Sequence, residues 1–157
     1  MLRRLVPVAG VLTLLLLTAC SSTVALKPEP DSNNPACAEV TVRLPDAVGE
    51  LSRRWTDAQA TAAYGDPTAV IVACGVEVPG PTATLQCVTL DGIDWLVDDS
   101  QAPKMRMTTY GRNPAVQVFV DTKLVGANEV LSNTGLVSGI RTIKATSQCT
   151  APAELPK

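Results

Sequence analysis

Four cysteines constrain the fold of this chain more than any other residues do. Cys37, Cys74, Cys87 and Cys149 lie beyond the N-terminal segment of the 157-residue sequence. In an exported protein their even number favours two disulfides, with three possible pairings. No gap between them is as short as the CxxC spacing of a zinc site, and the chain has no histidine to generate a catalytic thiolate. We therefore expect two structural bridges and no metal or other cofactor.

The N-terminal segment has the order of a secretion signal. Arg3 and Arg4 give it a positive start, residues 5–17 are almost all apolar, and small residues precede Cys20. As a helix, residues 5–19 would span about 22 Å, which is short of the ~30 Å hydrocarbon core of a bilayer. We predict a signal peptide over residues 1–19 and disfavour a membrane-spanning anchor.

The end of this segment, Leu17-Thr18-Ala19-Cys20, resembles a bacterial lipobox. The resemblance implies cleavage before Cys20 and thioether lipidation of its sulfur. The alternative is an ordinary signal peptide with a fortuitous cysteine, which would leave one thiol unpaired. Two or more acyl chains, such as palmitate, would anchor the protein stably. We therefore expect a lipid-anchored protein on the extracytoplasmic face of the cell membrane.

The remaining chain is long enough for one domain. Residues 20–36 hold the lipidated cysteine and a stretch rich in Pro, Ser and Asn, which is typical of a flexible tether. The alternative is an ordered, extended arm that packs on the domain. We place a single extracytoplasmic domain at residues 37–149 and a loose tail at residues 150–157.

The first half of the domain suggests a strand, a helix and a second strand. Residues 37–44 alternate with β-branched side chains, and residues 68–74 are continuously apolar, so both predict strands. Between them, apolar residues recur at spacings of three and four, which predicts an amphipathic helix over residues 46–64. The stripe of that helix is formed by Val48, Leu51, Trp55, Ala58 and Ala62. This order predicts a parallel crossover.

The disulfide pairing follows from these strand directions. A turn-rich stretch, residues 75–81, precedes a strand at residues 84–90 that we expect to return antiparallel. That arrangement brings Cys87 near Cys74 and leaves Cys37 with Cys149. The sequence does not exclude the other two pairings.

The second half of the domain is typical of hairpins. Residues 92–97 continue strand-like after a turn, and residues 105–110 and 115–121 flank a four-residue loop. Residues 123–131 predict a second, shorter helix, and residues 136–147 give no clear pattern. The fold class we predict is α+β, a mixed or antiparallel sheet with one long and one short helix on one face and two disulfides.

Several strings along the chain resemble one known family. They are CAEV from Cys37, AAYGDPTAVIVACGVEVPGP from Ala62, LQCVTLDGIDWLV from Leu85 and TTYGRNPAVQVFVD from Thr108. Together they resemble a family of actinobacterial membrane lipoproteins catalogued as domain of unknown function 3515. Tyr64 stands where Trp is typical of the family, which keeps the aromatic character. The resemblance implies an envelope location and implies no reaction.

The candidate chemistry is sparse. The absence of histidine removes the usual triads and His-liganded metal sites, and a net charge of −2 argues against nucleic acid. The densest carboxylate cluster could hold Ca²⁺ or serve a glycosidase, but it matches no EF-hand spacing, and solvated turn acids explain it better. Its members are Asp91, Asp94, Asp98 and Asp99.

Five residues adjoin predicted turns and have side chains that are common at interfaces: Tyr64, Asp66, Trp95, Tyr110 and Arg112. They are the candidate partner-binding surface, although each also has a plain structural role available in the core or at a turn. The function that the sequence favours is a non-catalytic binding or assembly module of the cell envelope, with an unidentified envelope protein as partner. The alternatives are a carboxylate-dependent enzyme of envelope metabolism and a small-molecule-binding lipoprotein.

Overall fold

The structure is a computed structural model that describes residues 23–150. Within that range the helices are α1 (Pro35–Thr41), α2 (Ala127–Leu131) and α3 (Thr134–Arg141). The strands are β1 (Ala47–Val48), β2 (Leu51–Arg54), β3 (Thr61–Tyr64), β4 (Val70–Val76), β5 (Gln86–Leu90), β6 (Ile93–Gln101), β7 (Lys104–Thr109) and β8 (Ala115–Asp121). The predicted signal peptide with Cys20, and nearly all of the predicted tail, lie outside the described residues.

The strands form one antiparallel sheet in the order β1-β2-β3-β4-β8-β7-β6-β5. The predicted α+β class, with an antiparallel sheet and two disulfides, is confirmed. The three helices contribute apolar side chains to one core against a single face of the sheet. Burial of these side chains is the main driving force for the fold.

Strand β8 shows how alternation builds that core. Val116, Val118 and Val120 are fully buried, while Gln117 and Phe119 between them are half-buried on the opposite face. Since side chains alternate along a strand, one face of the sheet belongs to the core and the other is partly solvated, as the sequence predicts.

The predicted first strand is wrong, because residues 35–41 form helix α1. The side chain of Asn34 accepts a hydrogen bond from the N–H of Ala36, and Pro35 occupies the first helical turn. Cys37 and Val40 are buried at a spacing of three residues, and Leu44 continues this face beyond the helix. The β-branched residues that suggested a strand are tolerated because the buried face and the cap favour a helix.

The predicted long helix over residues 46–64 is also wrong. These residues form β1, β2 and β3, and the β1–β2 hairpin turns at Gly49, whose φ of +55° lies in the left-handed region. Trp55, which we expected in the core stripe, is 77% exposed. The parallel crossover is therefore absent, since β3 and β4 pair antiparallel. The spacing of three and four residues here reflects three short strands and their turns.

The predicted disulfide pairing is wrong for the same reason. Cys37 on α1 pairs with Cys74 on β4, with a Cα–Cα distance of 5.5 Å, and Cys87 pairs with Cys149 across 5.9 Å. Strand β5 lies at the sheet edge, four strands from β4, so Cys74 and Cys87 are separated by roughly 19 Å. That separation is far beyond the reach of a disulfide.

The described part of the predicted tether packs on the domain. Val24 forms a parallel bridge with Thr56, and the N–H of Asp31 donates to the carbonyl of Gly75 at 2.9 Å. Ser32 is buried, and the N–H of Leu26 donates to the Asp57 carboxylate at 2.8 Å. Residues 23–34 are thus the ordered arm of the alternative prediction, and the folded unit begins before residue 37.

The C-terminal half agrees better with the sequence. The hairpins β5–β6 and β7–β8 and strand β4 are confirmed, and α2 occupies the end of the segment predicted as a short helix. Helix α3 lies in a region without a clear sequence pattern. It begins at an asparagine cap like that of Asn34 in α1: the side chain of Asn133 accepts hydrogen bonds from the N–H groups of Gly135 and Leu136. Among the described helices, none has the length and apolar character of a membrane span.

Candidate functional site

Two adjoining cavities form a concave surface on the described chain. One has a volume of about 480 Å³ and the other about 250 Å³, and they share Tyr110, Gln148 and Cys149 as lining residues. We call the two together the Tyr110 groove. Its remaining walls are the loop that precedes β5, strand β5 itself, and the residues around Asp94 and Arg112.

One wall of the groove is an open sheet edge. Strand β5 pairs only with β6 among the described strands. The β5–β6 hairpin turns at Asp91 and Gly92, whose φ values of +48° and +70° suit a two-residue turn flanked by the hydrogen-bonded pair Leu90 and Ile93. Because bonded and non-bonded pairs alternate, the backbone N–H and C=O groups of Cys87 and Thr89 point away from β6.

The opposite wall is the C-terminal segment, which Asp94 holds in place. One carboxylate oxygen of Asp94 accepts the hydroxyl of Thr89 at 2.6 Å, and the other accepts the N–H of Cys149 at 2.8 Å. The Cys87–Cys149 disulfide ties the same segment to β5. Asp94 is therefore engaged on both oxygens in building the groove.

Arg112 stabilises the C-terminal segment through hydrogen bonds to backbone carbonyls. It is only 6% exposed, and its guanidinium donates to the carbonyls of Ile143 and Ile140 at the end of α3. Burial lowers the pKa of Arg112, and the nearby Asp94 carboxylate opposes that shift by favouring the charged form. The guanidinium stays a cation and caps the helix carbonyls. Its Nε has no partner among the described residues.

The five residues of the predicted partner surface do not share one exposed face. Tyr110 and Arg112 both line the Tyr110 groove, but Arg112 is buried. Trp95 is fully buried on the core face of β6, while Tyr64 is fully buried on β3 and Asp66 is exposed in the turn that follows. Proximity to turns does not determine exposure, because alternation along each strand decides which side chains face the core.

No pattern in the sequence assigns Gln148 or the C-terminal segment to a site. The one local indication of this site was Asp94, which is adjacent to Trp95 in a strand. Its side chain therefore lies on the face of the sheet opposite to that of Trp95. Asp94 and Cys149 are 55 residues apart in sequence, so no local pattern could reveal their contact.

The carboxylate cluster is spread along a strand. Asp94 and Asp98 lie four residues apart on β6, so about 13 Å separates them, more than the carboxyl spacing of glycosidases. A hydrogen bond from Ser100 lowers the pKa of Asp98, which favours its charged form. Within residues 23–150 no three acidic or cysteine side chains form a group that could hold a metal ion.

Tyr64 supplies a pH-dependent term in stability. Its hydroxyl donates to the Pro45 carbonyl at 3.0 Å, and burial raises the pKa of Tyr64 to about 12, partly opposed by Arg53. The unfolded tyrosine loses its proton near pH 10. Stability should therefore be fully present below pH 10 and should fall by up to about 3 kcal/mol as the pH rises to 12.

Urea unfolding at several alkaline pH values would measure this loss. The variant Tyr64→Phe keeps the ring and lacks the ionisable hydroxyl, so its stability should change less with pH over the same range. Equal slopes for Tyr64→Phe and the wild type would contradict the assignment.

The fold and the groove define a class: a disulfide-bonded α+β domain with three helices on one face of an antiparallel sheet and a groove along an open strand edge. The chain belongs to the family described as Protein of unknown function (DUF3515), whose model matches residues 4–147. The match spans the N-terminal segment and nearly all of the folded domain. No curated protein and no solved structure matches the chain.

Proposed function

We propose that this protein is a lipoprotein anchored through Cys20 to the outer face of the cell membrane. Its folded domain is a non-catalytic binding module that takes an extended peptide segment of an envelope protein into the Tyr110 groove. The observation that carries the binding role is the open edge of β5 beside the Tyr110 groove, whose larger cavity has a volume of about 480 Å³. Peptides commonly add to such an edge as a further strand.

The groove chemistry supports a peptide over a reactive small molecule. Cys87 and Thr89 offer outward backbone groups that can pair with an extended segment. The side chains of Tyr110, Gln148 and Thr82 offer further hydrogen bonds, and Leu96 offers apolar contact. Asp94, the carboxylate that lines the groove, already accepts two hydrogen bonds from the protein, which leaves an enzyme based on carboxylates with less support.

The anchor is supported by the lipobox-like residues 17–20 and by the arm that begins a few residues later. Changing Cys20 to Ser removes the thiol that takes up the lipid, and we expect the variant to move from the membrane to the soluble extracytoplasmic fraction. Fractionation of cells that express wild type or variant measures this. A variant that stays in the membrane fraction would contradict the anchor.

Crosslinking in cells tests the binding role. A photoreactive residue in place of Thr82, which is exposed and lines the groove, should capture an envelope protein that mass spectrometry can identify. The same residue in place of Lys123, which is exposed outside the groove, is the control. Capture of no envelope protein at position 82, or of the same proteins at both positions, would count against the proposal.

A matched pair of variants tests strand addition itself. Thr89→Pro and Thr89→Val both lose the hydroxyl, but only proline removes the outward N–H of the edge strand. We expect Thr89→Pro to reduce capture at position 82 severalfold, and Thr89→Val to reduce it much less. Equal capture by both variants would argue against backbone pairing.

A further inference from the structure

Trp55 is the one large aromatic side chain that the described chain exposes broadly. It follows β2 and is 77% exposed, whereas Trp95 is fully buried. It lines a cavity of about 340 Å³ together with Asp46, Arg53 and Arg54. An exposed tryptophan leaves a large apolar area in contact with water. Covering this area with another surface would be energetically favourable.

The backbone around Trp55 lies where the chain emerges from the N-terminal segment. The N–H of Val24 donates to the carbonyl of Trp55 at 2.8 Å, and the N–H of Asp57 donates to the carbonyl of Val24 at 3.4 Å. Cys20 precedes Val24 by four residues, so the connecting chain can span at most about 14 Å. A lipid on Cys20 would hold this end of the domain close to the bilayer.

We propose that Trp55 inserts its indole into the headgroup region of the bilayer that carries the lipid anchor, and so sets the orientation of the domain on the membrane. This inference rests on the proposed anchor at Cys20. The headgroup region is roughly 5–8 Å thick on each side of the hydrocarbon core, comparable to the length of a Trp side chain. Tryptophan is enriched at this boundary because its ring is apolar and its N–H can bond to headgroups.

The charges near Trp55 indicate that the contact does not depend on anionic lipid. Arg53 donates to the Leu44 carbonyl, and Arg54 forms an ion pair with Asp66 at 3.4 Å. Asp46 lines the same cavity, so positive and negative side chains are mixed around the indole. We therefore expect insertion into neutral bilayers, with little effect of salt.

Fluorescence quenching in vesicles tests the orientation. The mature lipidated protein would be reconstituted in phosphatidylcholine vesicles that contain a spin-labelled lipid with its quencher near the headgroup. We expect the wild type to lose most of its exposed tryptophan emission and to show a blue shift. The variant Trp55→Phe should show little quenching, because its remaining tryptophan is buried in the core.

Flotation of the same vesicles separates the two claims. Protein that floats with the vesicles but shows equal quenching in wild type and Trp55→Phe would overturn the insertion and leave the anchor intact. Wild-type protein that does not float would overturn the anchor and, with it, the inference. Insertion that appears only with added phosphatidylglycerol and disappears in high salt would overturn the neutral contact.

Discussion

Replacing both Cys37 and Cys74 by alanine is expected to lower the free energy of unfolding by about 4 kcal/mol. The disulfide closes a loop with a sequence separation of 37 residues, and chain-entropy arguments assign about that value to such a crosslink. Both cysteines are buried, so the variant also loses sulfur contacts in the core. Because a domain is stable by only about 5–15 kcal/mol, the change removes a large share of the total. Urea unfolding followed by circular dichroism measures it.

The second disulfide allows a comparison of how readily the two bridges are reduced. Cys87 and Cys149 are partly exposed and line the Tyr110 groove, whereas the Cys37–Cys74 bridge is enclosed between α1 and β4. A thiol reductant acting on the folded protein should therefore open Cys87–Cys149 first, as alkylation and peptide mapping over time would show. Earlier opening of Cys37–Cys74, or a peptide that joins Cys74 to Cys87, would contradict the structure.

Replacing Trp95 by alanine is the second change with a large expected effect, a loss of about 4 kcal/mol. Trp95 is fully buried on β6, where it belongs to the core cluster beneath the helices, and its loss would leave a large cavity. The ring nitrogen Nε1 has no hydrogen-bond partner among residues 23–150. Trp95→Phe should therefore cost much less, since it keeps most of the ring and removes an unpaired donor.

Trp55→Ala is the control for that prediction. Trp55 is 77% exposed, so its truncation should change the stability of the soluble domain by less than about 0.5 kcal/mol. Urea unfolding of the three variants gives the ranking. A loss for Trp95→Ala below 1 kcal/mol, or a loss for Trp95→Phe as large as for Trp95→Ala, would show that the core is described incorrectly.

The elements that the sequence predicted correctly are those with strict alternation or a clear turn. In strand β8, Val116, Val118 and Val120 lie on one face. The Asp91-Gly92 turn joins β5 to β6. Such patterns depend on neighbouring residues alone, so they survive in any fold that buries one face of a strand.

The elements that failed depend on contacts distant in sequence. Residues 46–64 match a helical period, but β3 forms an antiparallel pairing with the buried strand β4 that a helix would lose. The disulfide pairing then failed because it was derived from the wrong strand order. Weak local preferences are easily outweighed by tertiary packing.

The candidate site shows the same limit. Tyr110 and Arg112 could be selected because they lie in the β7–β8 connection, and both do line the groove. The groove as a whole could not be predicted, because its second wall is the C-terminal segment held by Asp94 and the Cys87–Cys149 bridge. Loop walls of this kind are fixed by long-range closure and not by periodicity.

Mass spectrometry of the mature protein extracted from membranes tests the central claim most directly. The account predicts an N-terminus at Cys20 that carries diacylglycerol, no free thiol, and disulfide-linked peptides that join Cys37 to Cys74 and Cys87 to Cys149. A protein that retains Met1 and an unmodified Cys20, or one whose four later cysteines react as free thiols, would contradict it.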